Sequence, residues 1–83
     1  MFTVWKVNLD RSLSNKEHLN DRNEVEDWAA SVAGRFATIA IRNDQKEIVR
    51  VFTFDGERFD HIASFPSSES IIRQIPWQVS ATD

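Results

Sequence analysis

Residues 36–65 read FATIAIRNDQKEIVRVFTFDGERFDHIASF, and the fold turns on how this stretch pairs with itself. It holds five of the six phenylalanines. Its β-branched and aromatic runs, separated by polar segments, have the pattern of three consecutive strands joined by two turns. The second turn is the better defined, because Asp55-Gly56 stands between two strand-like runs and meets the positive φ that a two-residue hairpin turn requires. Such a turn pairs Phe54 with Glu57, Phe52 with Phe59, Arg50 with His61 and Ile48 with Ala63. One face then carries Ile48, Phe52, Phe54, Phe59, Ala63 and Phe65, while Val49, Val51, Thr53 and Ile62 share the other with Arg58 and Asp60. A four-residue loop from Asp55 to Arg58 keeps these faces and shifts the pairing.

Arg50 and His61 fall among the aromatics of the richer face. Long amphipathic side chains in such places pack their stems and keep their heads in water, so both are expected where helix cover ends. A functional Arg/His pair is the alternative. Asp60 cannot readily orient His61, because adjacent strand residues point to opposite faces.

Working outward, the segment Asn43-Asp44-Gln45-Lys46 turns the chain without a glycine. A two- or four-residue loop places Ile39 and Ile41 with Ile48 and Phe52, the preferred arrangement because it gathers the large residues, whereas an odd loop length moves them to the face of Val49 and Val51. Between Asp21 and Ala33, Val25, Trp28, Ala29 and Val32 recur at the spacing of one helical stripe. Asp21 with Glu24 three residues on reads as an N-cap and its reciprocal partner, and Gly34 as the left-handed stop. Trp28, at the centre of the stripe, anchors helix on sheet.

Residues 2–9 alternate Thr3, Trp5, Val7 and Leu9 against Phe2, Val4, Lys6 and Asn8, a fourth strand for the same sheet. Residues 10–20 are polar, with Leu13 and Leu19 the only large apolar side chains. They read as a loop, with Ser14 and Glu17 able to cap a short helical turn. After the third strand of the central stretch, Pro66-Ser67-Ser68-Glu69 has the features of a helix start. Ile71, Ile72 and Ile75 follow as its inward side. Pro76 ends it, Trp77 and Val79 fold back on the core, and residues 80–83 fray. The expected order is β-α-β-β-β-α. This is an α+β two-layer sandwich: a four-stranded, mostly antiparallel sheet with two helices on one face. That order also occurs in small RNA-binding domains, but a fold does not carry function.

A chain of 83 residues is expected to form a single domain, 1–83, with a modest core. Six Phe and three Trp argue against disorder. The absence of Cys removes disulfides, thiolate nucleophiles and thiolate metal ligands, and fits a cytoplasmic setting. Residues 1–9 hold no long apolar run and no cleavage pattern, so neither a signal peptide nor a membrane span is expected. A formal charge of -3 with scattered basic residues opposes general binding to phosphate backbones.

His18 and His61 have no second ligand at metal-binding spacing, and Gly34 and Gly56 have cap and turn roles rather than a phosphate loop. Ser67, Ser68 and Ser70 fit capping better than nucleophilic chemistry. The expectation is therefore a non-enzyme with no cofactor and no metal.

What remains is acidic. Glu17, Asp21, Glu24, Glu26 and Asp27 crowd the helical segment, and Asp55, Glu57 and Asp60 form a second group. A solvated helix face with favourable N-terminal charge accounts for part of this, and Arg22 can pair with Glu26 four residues on. The sharper reading takes Glu24, Glu26, Asp27, Asp55, Glu57 and Asp60 as partner-binding contacts for a basic protein surface. Small phage-encoded inhibitors of the anti-CRISPR and anti-restriction type work in this way. Two other classes stand beside it. One is an assembly subunit that dimerises through its sheet, with some of Val49, Val51, Ile62, Trp5 and Phe36 left exposed as the contact. The other is a nucleic-acid module that stacks bases on Phe and Trp, which the charge disfavours.

Overall fold

A computed structural model describes residues 1–10, 12–33, 37–67 and 69–71. The expectations placed on Gly34, Phe36, Ser68, Ile72, Ile75, Pro76, Trp77, Val79 and residues 80–83 lie outside this set.

The described residues form an α+β fold around one antiparallel sheet. Its elements are β1 (Phe2–Val7), β2 (Leu13–Leu19), α1 (Arg22–Ala33), β3 (Ala37–Asn43), β4 (Val49–Phe54) and β5 (Phe59–Phe65). The strand order is β2-β1-β3-β4-β5, with every neighbouring pair antiparallel. The sheet thus has five strands, not four. The extra one is β2, which occupies the segment read as a loop. Its middle, Ser14 to His18, is polar and mostly exposed, as an edge strand with little to bury can be. No alternation marks such a strand in the sequence.

β2 is bulged where Val4 pairs with Glu17 but Lys6 pairs with Ser14, so Asn15 and Lys16 together oppose Trp5. Asn15 takes a φ of 54°, a left-handed conformation that Asn tolerates better than most residues.

The β4–β5 hairpin closes with the four-residue loop and not with the two-residue turn expected for Asp55-Gly56: Phe54 pairs with Phe59 rather than Glu57, and Phe52 with His61 rather than Phe59. Asp55 organises that loop: its Oδ1 accepts from the N–H groups of Glu57 (2.9 Å) and Arg58 (2.8 Å). Gly56 supplies the positive φ, 98°. Beyond the turn Phe52 pairs with His61 but Val51 pairs with Ala63, leaving Ile62 as an extra residue. This bulge moves Ala63 and Phe65 off the face of Phe52 and Phe54. Both now lie with Val49 and Val51, which corrects the face assignment beyond the bulge and the pairing of Arg50 with His61. Arg50 pairs with Ser64 instead.

The β3–β4 loop is longer than the two or four residues expected, since Arg42 pairs with Val49, but it keeps the expected face: Ile39 stands opposite Phe52 and Ile41 opposite Arg50. Ile48 is not in the strand; it sits in the loop, 49% exposed.

Two apolar layers result. On one face Val4, Ile39, Ala37 and Phe54 pack with Val25, Trp28 and Ala29 of α1. The helix starts where expected: Asp21 Oδ1 accepts from Glu24 N–H at 3.0 Å, and Glu24 Oε2 accepts from Asn20 N–H at 2.7 Å, one residue before the reciprocal position. On the opposite face Trp5, Val7, Ala40, Val49, Val51 and Phe65 pack with Ile71. Residues 69–71 are helical, and Ser67 Oγ accepts from Ser70 N–H at their start. Ile71 therefore lies across the sheet from α1, which overturns the placement of two helices on one face. The β5 bulge is the reason, since it delivers Phe65 and the chain after it to the second face.

Trp5, Val49 and Val51 are buried in that layer and Ile62 is half-buried, so the exposed patch imagined for a sheet-mediated dimer does not exist at these positions. No described helix is long and apolar enough to cross a membrane.

Candidate functional site

α1 packs against β1, β3 and β2, toward one side of its face. Toward β4 and β5 the same face is only partly covered, and Ile41, Phe52 and Phe59 stay half-buried. A groove of about 470 Å³ opens here, between the first turns of α1 and the β3–β4 loop. Phe2, Val25, Ile41, Phe52 and Phe59 supply apolar lining, Ile48 stands at the loop side, and Arg22, Lys46 and Arg50 add three cations. The aromatic lining is held by ring packing. Phe52 and Phe59 meet edge to face at 5.9 Å, Phe59 lies 4.8 Å from Phe54, and His61 packs on Phe52 at 5.4 Å. His61 Nε2 is 3.1 Å from Ser64 Oγ. Arg50 and His61 are both exposed, and each is engaged in a different place: Arg50 lines the groove, whereas His61 is occupied with Phe52 and Ser64.

The six carboxylates divide by what they already hold. Glu26 takes the Arg22 guanidinium at 3.3 Å, an exposed i,i+4 pair worth about 0.3–0.5 kcal/mol. Asp55 and Asp60 both receive Arg58 Nε, at 3.2 and 3.6 Å. Hydrogen bonds from the Arg58 and Glu57 N–H groups, with the Arg58 charge behind them, hold the Asp55 carboxyl below the ordinary aspartate value. Asp55 is thus first a turn residue. Glu24 is exposed but spends one oxygen on Asn20 N–H. Asp27 and Glu57 are exposed and make no ion pair among the described residues.

A third grouping was not visible in the sequence. Thr3 is fully buried, and its hydroxyl donates to Asp44 Oδ1. With its proton so placed, Thr3 Oγ1 accepts from His18 Nδ1 at 3.0 Å and Arg42 Nη2 at 3.5 Å, which puts the proton of that ring nitrogen on Nδ1. Catalytic hydroxyl–imidazole–carboxylate sets place the imidazole in the middle, where it can take the hydroxyl proton. Here the hydroxyl is central and shielded, so the network ties β1, β2 and the β3–β4 loop together rather than presenting a nucleophile. Arg42 also lies 5.5 Å from the Trp5 ring and Lys16 5.9 Å from it, so two cations lie on that indole.

No cluster of three or more metal-ligating side chains occurs among the described residues. No protein-family model matches this chain, and neither does any curated protein or solved structure.

Proposed function

We propose that this protein is a small non-enzymatic protein-binding module, an inhibitor or adaptor that docks exposed carboxylates on a basic surface of a partner. A groove built to hold nucleic acid is the kind of partner surface that fits, as in inhibitors of the phage anti-defence type. The observation that supports this reading is the state of Asp27 and Glu57, which stand exposed without a counter-ion among the described residues. Glu24 lies one helical turn before Asp27 on the same side of α1, while Val25, Trp28 and Ala29 face the sheet. Glu26, Asp55 and Asp60 are part-neutralised by Arg22 and Arg58, so the contact set narrows to Glu24, Asp27 and Glu57.

The test uses the immobilised protein to capture a partner from host lysate, beside a doubly reversed variant, Asp27→Lys with Glu57→Lys. These two positions leave the helix cap and the hairpin turn intact, which Glu24→Lys and Asp55→Lys would not. The reading requires a specific partner that the variant fails to hold while its circular dichroism is unchanged. Equal capture by both proteins, or retention of nucleic acid in place of a protein, would remove it.

A further inference from the structure

The groove beside α1 has a chemistry opposite to that of the carboxylates. Its lining is largely apolar, Phe2, Val25, Ile41, Phe52 and Phe59, and none of these is acidic. Three cations border it. Elsewhere the described arginines are matched to carboxylates: Arg42 meets Asp44 at 3.8 Å, and Arg58 meets Asp55 and Asp60. Arg22, at the groove, has Glu26. Lys46 and Arg50 have no carboxylate among the described residues, in a chain with thirteen acidic and ten basic residues. Two cations without a carboxylate among the described residues thus flank an open apolar cleft whose volume lies in the usual range for small-molecule sites, roughly 300–1,000 Å³. Ile48, 49% exposed at the same place, adds an apolar surface that a bound molecule would cover.

We infer that this groove binds a small amphiphilic anion, a molecule with an apolar body seated on Ile41, Phe52 and Phe59 and a carboxylate held by Lys46 and Arg50. The two parts of the ligand answer two features of the groove. The apolar body takes half-buried aromatic surface out of water, and the carboxylate supplies the charge that the two cations lack. The guanidinium of Arg50 can take both carboxylate oxygens at once, whereas Lys46 acts as a point charge. Neither residue belongs to the acidic contact set, so this site stands or falls independently of the proposed partner surface.

Decanoate is the probe, titrated into the ¹⁵N-labelled full chain and followed by two-dimensional NMR. Saturable shifts are expected at the amides of Ile41, Lys46, Arg50 and Phe52. 1-Decanol, with the same body and no charge, is expected to bind at least about tenfold more weakly, because its hydroxyl cannot take the bidentate charge-assisted hydrogen bonds of Arg50. Decylammonium should not saturate. The variant Lys46→Glu with Arg50→Glu changes only exposed side chains and should lose decanoate binding while keeping its circular dichroism. Equal binding of decanoate and decylammonium, shifts confined to other residues, or undiminished binding by the variant would overturn the assignment. So would tighter binding, at the same amides, of a capped acidic tripeptide with a central phenylalanine, which would make the site one for protein segments.

Discussion

Leu13 and Leu19 belong to one strand, six positions apart, yet they pack on opposite faces of the sheet. In a regular strand an even separation keeps two side chains on one face. The bulge at Asn15 and Lys16 adds the residue that breaks this rule, so the layer of Ile71 receives Leu13 and the layer of α1 receives Leu19. Asn15→Val forces a β-branched side chain to a φ of 54° and is expected to cost about 1–2 kcal/mol. Asn15→Gly should be near neutral. Urea melts of the two variants decide it, and an Asn15→Val protein as stable as the parent would mean that β2 is not bulged here.

Trp28 is the largest side chain that α1 sets on the sheet, and it is 8% exposed within the layer of Val4, Ile39 and Phe54. Trp28→Ala should cost about 3–5 kcal/mol, enough to unfold a chain of this size. A loss under about 1 kcal/mol in chemical denaturation would place the indole outside the core.

Thr3→Val keeps the shape of a fully buried side chain and removes its hydroxyl from Asp44, His18 and Arg42. Those partners reach water, so the expected loss is that of ordinary hydrogen bonds, about 1–2 kcal/mol. Thr3→Ser keeps the hydroxyl and should retain more of that stability. If valine and serine variants melt alike, the network contributes packing alone.

Asp55 couples the β4–β5 turn to pH. Its carboxyl lies below the ordinary value of about 3.9 because two backbone N–H groups and Arg58 favour the charged form. A depressed folded pKa contributes stability that is fully present above the unfolded value and lost as pH falls through the folded one. Asp55→Asn should therefore melt below the parent at neutral pH, and the gap should close under acid conditions, below pH ~3.9. A gap that stays constant from neutral pH into that acid range would assign the effect to shape rather than charge.

The legible parts of this fold are those with a period. The stripe of Val25, Trp28, Ala29 and Val32 placed α1, and the alternation of Ile39 and Ile41 placed β3 on the correct side of Phe52. The bulges were not legible, because one extra residue leaves no trace in a hydrophobic pattern until its pairing partner is known. Asn15 carried a faint hint, since Asn is among the few residues at ease with positive φ. β2 escaped because Lys16, Glu17 and His18 are exposed and bury nothing that alternates. The groove draws its lining from β1, α1, β3, the β3–β4 loop, β4 and β5, so no local motif could mark it. Arg50, out of place among aromatics, was the one signal pointing there. The acidic positions were visible as residue types, but their partners were not: that Arg58 holds both Asp55 and Asp60 depends on a turn shape that spacing alone leaves open.

The acidic-surface account is tested most directly by the association rate with the captured partner, measured by stopped flow across a series of salt concentrations. Exposed carboxylates that steer a basic partner give a rate that falls steeply as the Debye length shrinks. The parent protein should show that slope, and Asp27→Lys with Glu57→Lys should lower the rate and flatten it. A rate that does not change with salt, or a slope shared by parent and variant, would contradict the claim that these carboxylates carry the encounter.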